Sequence, residues 1–489
     1  MSQVFKTRQS RLSTLAALSN SEAKPQTIMA SIQPFHTRAH RAPLLTLSAL
    51  ALAAAALAGC GGGGESATVD NPAPLAADDR DETDAATLAQ VGQLMEATDA
   101  SIRSLGLQTA AGSPQSAAQA AGRPENGHGW FPGLAQTNLV ANRPEFEAEI
   151  LEPAMKNAWG IAIRPAGFGG HFWVGAAGTG KSIQYVGDVG GKPLFQDELA
   201  LVDTAGATTG VAFNPGTQFV ISQGHANGPI VAPTKFFFAN ASGSITAWTE
   251  RARPGGGFDH PADSVTVVDG AARGSSFLGV TVAPAADRML AADFGADAQL
   301  RVYDGSFVEK APLANPFRPQ GKKQPGGFEA FNVQTLGESV FAMYGRQVPP
   351  DPAAPPPAEG RLVEFDGQGR VVARWHGRGY LNYPWGVARA PHSFGLYGGC
   401  LLVGNFGDGS IVAFHPRLKV ALDYVRDTEG KRVVIDGLWG LQFGNGASLG
   451  EADHMYFAAG PNKEADGLFG KLRANPNTLP FLKGLSLCR

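Results

Sequence analysis

The chain has 489 residues, enough for one large core or several domains, and carries 63 Gly and 34 Pro beside 43% hydrophobic residues. Lys+Arg 40 against Asp+Glu 43 gives a formal net charge of -3 with no basic stripe, which argues against a nucleic-acid partner. Glycine-rich turns among short apolar runs point to an all-β protein. Three cysteines are too few for a disulfide framework. Cys60 has an explanation of its own, which leaves Cys400 and Cys488. Two free thiols is the simpler expectation, because sequence gives no spatial separation for them.

Residues 1–60 read as an export signal. Arg38, His40 and Arg41 form a basic region, and the apolar run 44–58 is too short to span a bilayer as a helix. The run ends in Leu57-Ala58-Gly59-Cys60, which resembles the bacterial lipobox, in which the cysteine is diacylated and becomes the new N-terminus. Such a lipid on Cys60 anchors the protein to a membrane. Gly61, where Asp would favour inner-membrane retention, implies by that resemblance an outer-membrane lipoprotein facing the periplasm or the cell surface. Met29 is an alternative start, since residues 1–28 make the basic region long.

Residues 61–130 are rich in Ala, Gly, Asp and Ser and bury little apolar surface, so a mostly disordered tether is expected. Leu88, Val91, Leu94 and Met95 fall on one face of a possible helix over Ala85–Leu105. Composition favours a transient helix in a linker over one that docks.

Residues 131–489 repeat one pattern: a Gly-containing strand, a second strand, a tight hairpin and a third strand. The copies centre on Gly160, Gly210, Gly279, Ala330, Gly386 and Gly440, at intervals of 50 to 69 residues. Short strands at this spacing mean propeller blades, so the expected fold is a six-bladed β-propeller of four-stranded antiparallel blades. Asn138–Ala141 lacks a partner in its own unit and is expected to complete the outer edge of the sixth blade. Pro349–Pro357 reads as an exposed loop.

Gly175-Ala176-Ala177-Gly178-Thr179-Gly180-Lys181-Ser182 matches the P-loop pattern, but the β-type run Ser182–Val186 follows where a P-loop needs a helix. A hairpin is expected there, and no nucleotide.

In an up-and-down blade, the segment leading into the inner strand lies on the same face as the hairpin between the second and third strands. Asn157, Trp159, Thr209, Glu329, Asn382, Trp385, Asp436 and Trp439 are therefore placed near one rim of the central channel, the default binding site. Asn240, Asp293, Asn405 and Asp408 lie further out and read chiefly as turn formers. Glu329, Asp436, Asn157 and Asn382 are oxygen ligands suited to Ca²⁺. The tryptophans also suit plain packing between blades. The ten histidines show no HxxxH or HxH spacing, so zinc is not supported. No GxSxG elbow is present.

The runs Gln136–Val140, Trp159–Ala162, Phe172–Val174, Pro384–Ala388, Leu402–Gly409, Gly437–Leu441 and Gly467–Gly470 together resemble a family of exported bacterial proteins of uncharacterised function, some with PEP-CTERM sorting tails. More distantly the blades resemble NHL-repeat propellers. The resemblance implies a propeller and export but no established activity. Asn475–Arg489 departs from it in lacking a Pro-Glu-Pro motif, which leaves anchoring to Cys60. The functional expectation is a binding or scaffold module at the cell envelope, with a small-molecule, glycan or protein ligand at the channel. The alternatives are a Ca²⁺-dependent hydrolase or lyase resembling six-bladed lactonases, and a structural envelope protein.

Overall fold

A computed structural model describes residues 83–109, 131–318, 326–347, 359–482 and 484–489. The expected signal peptide, Cys60, most of the tether and the Pro349–Pro357 loop lie outside the described residues.

The described chain is a six-bladed β-propeller. Blade 1 is built from Ala158–Ala162, Phe172–Ala176, Lys181–Tyr185 and Leu201–Asp203. Blade 2 uses Thr208–Phe213, Phe236–Asn240, Ser244–Trp248 and Val265–Asp269, with two small inserted hairpins. Blades 3, 4 and 5 begin at Phe277–Val282, Phe328–Leu336 and Pro384–Arg389 and each add three antiparallel strands in chain order. Blade 6 has three strands from its own repeat, starting at Leu438–Phe443, and takes its fourth from Leu134–Ala141 at the start of the propeller. That strand pairs antiparallel with Leu468–Ala474, so the closing strand expected from Asn138–Ala141 is present and the ring has no open seam.

The inner strands are almost wholly buried and crowd one another around the channel. Glycine is required at that contact. A Cβ on Gly440 would lie 2.6 Å from the Trp159 carbonyl oxygen, and one on Gly160 would lie 2.5 Å from that of Thr209. In blade 4 Asn332 stands at this contact, and its Nδ2 donates to the Trp385 carbonyl at 2.7 Å.

The P-loop-like run is a hairpin. Strand Phe172–Ala176 turns through Gly180 (φ +65°) directly into strand Lys181–Tyr185, with no helix.

Two expectations are corrected. The helix Ala85–Ser104 is docked, with Asp84 capping it by accepting from Thr87 N, and Val91 and Ile102 buried at 3% and 1% exposure. Its apolar stripe packs in one cluster with Leu396 and Tyr397 of blade 5 and with Leu487 of the C-terminal tail, partners that composition cannot reveal. Cys400 and Cys488 form a disulfide rather than two thiols. The tail folds back over blade 5, where Leu487 N donates to the Leu396 carbonyl at 2.9 Å, and this brings the two Cα atoms to 5.0 Å.

Candidate functional site

The two ends of the channel are built differently. At one end, each inner strand starts with a bulge relative to its neighbour. The register skips between Ala158 and Ile161, Thr208 and Val211, Phe277 and Gly279, Ala330 and Asn332, Pro384 and Val387, and Leu438 and Leu441. A bulge leaves its extra residue unpaired and re-aims the side chain. Here the residues freed are Trp159, Leu278, Phe331, Trp385 and Trp439, which form one buried cluster with Tyr383 and Phe406. Trp439 is sandwiched, its ring centroid 3.7 Å from Trp159 and 3.8 Å from Phe406. Trp159, Trp385 and Trp439 are 1%, 4% and 0% exposed, so they plug the channel instead of lining an open rim.

The other residues expected at this rim hold the plug. Thr209 Oγ1 donates to the Phe277 carbonyl at 2.7 Å, tying blade 2 to blade 3. Asn157 (φ +48°), Tyr383 (φ +48°) and Gly437 (φ +65°) occupy the same left-handed position two residues before their tryptophans. Asn157 Oδ1 accepts from Trp439 Nε1 at 3.2 Å, and its Nδ2 donates to Glu464 at 2.8 Å. Asn382 N donates to Asn405 Oδ1 at 3.0 Å, and Asn405 Nδ2 reaches the Tyr380 carbonyl at 2.8 Å. Asp293 makes the same kind of clasp in blade 3, accepting from Ser276 N at 2.9 Å, and Asn240 does so in blade 2 through the Thr204 carbonyl. These side chains thus fasten the segment leading into each blade, while Asp408 caps its own hairpin at Ser410 N.

The oxygen ligands proposed for Ca²⁺ do not fit that ion. Glu329 is 1% exposed and its carboxylate is taken up by Arg318 at 2.7 Å and Asn315 at 3.0 Å. A buried carboxylate neutralised by guanidinium has little left to offer a cation. Asp436 is exposed and accepts from Asn462 N at 2.8 Å. The Asn157 side chain is committed as above, and Asn382 is held through its backbone N–H by Asn405. The four belong to four different blades or the segments leading into them, each with its own partners. Among the described residues no group of three or more His, Cys, Asp or Glu is placed to hold a metal.

Asp436 belongs to a feature the sequence did not signal. Asn462, Lys463 and Glu464 are three consecutive non-glycine residues at φ +56°, +58° and +67°. Each costs about 1–2 kcal/mol in this conformation. Asp436 holds one end of the turn, and Asp466 accepts from Asn462 Nδ2 at 2.7 Å. The turn presses the Glu464 carboxyl against the plug. Burial raises it to about 7, opposed only by the hydrogen bond from Asn157.

Beyond the plug the channel widens into a cavity of about 410 Å³ that opens on the opposite face. Its walls are the far halves of the inner strands, including Ile161, Val211, Val280, Val282, Val333 and Leu441, and its floor is Trp385, Asn332 and the inner-strand glycines. A lobe of about 250 Å³ continues past Val387 and Phe443 to Arg389, the one charged residue among those lining either space. The polar groups of the wall largely satisfy one another. Thr335 Oγ1 donates to the Val282 carbonyl at 2.7 Å and lies 3.1 Å from Thr281 Oγ1, and Gln442 Nε2 donates to the Phe443 carbonyl at 3.0 Å. The 410 Å³ space, partly apolar and with no charged residue in its lining, suits a small neutral ligand.

No family model matches the chain. Among curated proteins it is similar to three uncharacterised proteins of Acanthamoeba polyphaga mimivirus. One is 27% identical over 340 residues, covering 68% of this chain and 78% of the relative, and a second is 26% identical over 348 residues, covering 68% and 84%. A third is 23% identical over 274 residues, covering 54% and 45%. These relatives are viral, which corrects the resemblance to an exported bacterial family. The runs that carried it are the bulges and hairpins that blade geometry itself demands. Among solved structures, a gluconolactonase from Xanthomonas campestris aligns at TM-score 0.32 and 13% identity, covering 65% of this chain and 97% of that one. Glutaminyl cyclase from Myxococcus xanthus aligns at TM-score 0.30 and 10% identity, covering 55% and 91%. These similarities assign no activity.

Proposed function

We propose that this chain is a binding module whose ligand is a small, uncharged molecule held in the channel from its open face, on a propeller exported and tethered to a membrane through Cys60. The observation that carries the binding reading is the 410 Å³ cavity, closed at one end by the aromatic plug and lined by no carboxylate, imidazole or amine. Pockets of roughly 300–1,000 Å³ with apolar walls and a few oriented polar groups are the usual form of small-molecule sites. The Cys400–Cys488 disulfide supports export, because such bonds persist in oxidising compartments. The hydrolase alternative draws no support from the cavity, which offers neither a general base nor a metal ligand set.

Titration with Nile red, an uncharged apolar fluorophore, tests the site. Saturable binding with one site per chain is expected. Val282→Trp, which fills the cavity, should abolish it, and Asn382→Ala on the plugged face should leave it unchanged. Binding that ignores Val282→Trp would remove the channel from consideration.

A further inference from the structure

The wall of the open cavity is aliphatic by residue type, yet much of what it turns toward the axis is peptide. The inner strands Ala158–Ala162 and Phe277–Val282 are buried along their whole length, so both rows of their side chains pack against neighbouring blades. Val211, Val280, Val333 and Leu441 directly follow the contact residues Gly210, Gly279, Asn332 and Gly440. Each of the four is buried in a different packing cluster. An inner strand that spends both faces in this way offers its free edge to the channel.

The hairpin bonds show which peptide groups lie on that edge. In an antiparallel pair, residues that bond the partner strand alternate with residues whose N–H and C=O point away from it. Asn214 N donates to the Lys235 carbonyl at 2.9 Å in blade 2, and Ala283 N to that of Arg288 at 2.8 Å in blade 3. Gly444 N donates to the His454 carbonyl at 3.2 Å in blade 6. Counting back along each register, Val211 and Phe213, Val280 and Val282, and Leu441 and Phe443 turn their peptide groups toward the axis.

Side chains meet these groups on one side of the channel. Thr335 Oγ1 donates to the Val282 carbonyl, and Gln442 Nε2 to that of Phe443. Gln334 Oε1 accepts from Val387 N at 3.3 Å, the same edge in blade 5. Blade 2 has no such cover. After Gly210 its inner strand carries only Val211, Ala212 and Phe213, none with a side chain that hydrogen-bonds. The wall is thus partly self-satisfied around blades 3 to 6 and bare peptide at blade 2.

We propose that the channel ligand is a small, uncharged, polyhydroxylated molecule that lies against blade 2 and hydrogen-bonds the free peptide edge at Val211 and Phe213. A hydroxyl both donates and accepts, so it meets an N–H or a C=O without a fixed register. The two residues stand about 7 Å apart along the strand, within reach of hydroxyls on one six-membered ring. No charged residue lines this space to reward an ionised ligand. A hydrocarbon would leave the blade 2 edge without partners, whereas a polyol reproduces the bonds of the water it displaces. The inference rests on the binding reading for the site itself and adds the chemical class of its ligand.

Competition against bound Nile red, on the full chain, tests the ligand class. The competitors are myo-inositol, glucose and sorbitol, with cyclohexanol as the control that keeps a six-membered ring and a single hydroxyl. At least one polyol should displace the dye at a concentration about tenfold lower than cyclohexanol needs. If cyclohexanol matches or betters all three, the proposal is overturned while the dye site stands. If the dye does not bind, or still binds after Val282→Trp, the binding reading fails and this inference falls with it. Residue-resolved hydrogen exchange reads the edge without any substitution. In the free protein the Val211 and Phe213 amides should exchange about tenfold faster than that of Ala212, which pairs with Phe237. The displacing polyol should slow both by a similar factor. Amides at 211 and 213 as protected as that of Ala212 in the free protein, or unmoved by a polyol that displaces the dye, overturn the proposal.

Discussion

The two ends of the channel use the same inner strands for opposite purposes. At the plugged end, bulges turn aromatic side chains inward, and polar groups such as Asn157 and Thr209 fasten the strands around them. At the open end, the strands run straight, small and β-branched residues face the axis, and a cavity remains. A polar residue near a channel is thus informative only once its end is known. Asn157, Asn405 and Thr209 at the plugged end are fasteners. Thr281, Thr335 and Gln442 at the open end have aqueous or ligand-facing sides.

The largest effect expected from this contrast is at the plug. Trp439→Ala removes a ring stacked on both sides and should cost about 3–5 kcal/mol in urea unfolding. A cost below about 1 kcal/mol would mean that the plug is a yielding gate and that the two ends are alike.

Arg318→Ala strips the partner from Glu329 and leaves a buried, uncompensated carboxylate, which should cost about 3–5 kcal/mol. Adding Glu329→Gln should restore part of that loss. Millimolar Ca²⁺ should leave the wild-type Tm unchanged, whereas a saturating rise would restore the metal reading of this end.

Glu464 gives a smaller effect with a definite sign. Its folded pKa, about 7, lies above the ordinary carboxyl value of 4.5. The folded state therefore holds a proton that the unfolded state releases, and stability falls as pH rises between those values. Below about 4.5 both states are protonated, and above about 7 both are ionised, so the slope is confined to that window. The total should be about 1–3 kcal/mol. Glu464→Gln should flatten the profile. A wild-type profile with no slope there would show that the turn leaves the carboxyl hydrated.

Much of the fold was legible because each blade repeats local chemistry. Gly with a neighbouring Trp marks the inner strands of blades 1, 5 and 6, Asn405–Gly409 marks a hairpin, and the unpartnered Asn138–Ala141 marks ring closure. The spacing of Leu88, Val91, Leu94 and Met95 gave the helix. Its docking was not legible, because the acceptor is assembled from a blade 5 loop and a tail about 90 residues later that the Cys400–Cys488 bond and the Leu487 to Leu396 backbone bond bring together. The residues expected at an open rim lie on the channel axis but at its plugged end. Sequence located the residues leading into the inner strands, but not the bulges that turn Trp159 and Trp439 onto the axis. Arg318, only 11 residues before Glu329, was a signal that a pairing argument could have used. Val280-Thr281-Val282 and Val333-Gln334-Thr335 read as strand, with nothing to mark which side faced a cavity.

The smallest expected effect separates the ends most cleanly. Gln442 is half-buried on the open wall, and its side-chain Nε2 donates to the Phe443 carbonyl. Water entering the mouth can replace that bond, so Gln442→Leu should change stability by no more than about 1 kcal/mol. The added apolar surface faces the cavity, so Nile red should bind about fivefold more tightly, equivalent to about 1 kcal/mol. The same probe should be indifferent to Asn157→Ala, which loosens the plug from behind and costs stability instead. If Gln442→Leu destabilises as strongly as Trp439→Ala and leaves the probe unchanged, the open wall is framework like the plugged end, and the cavity is a by-product of ring closure.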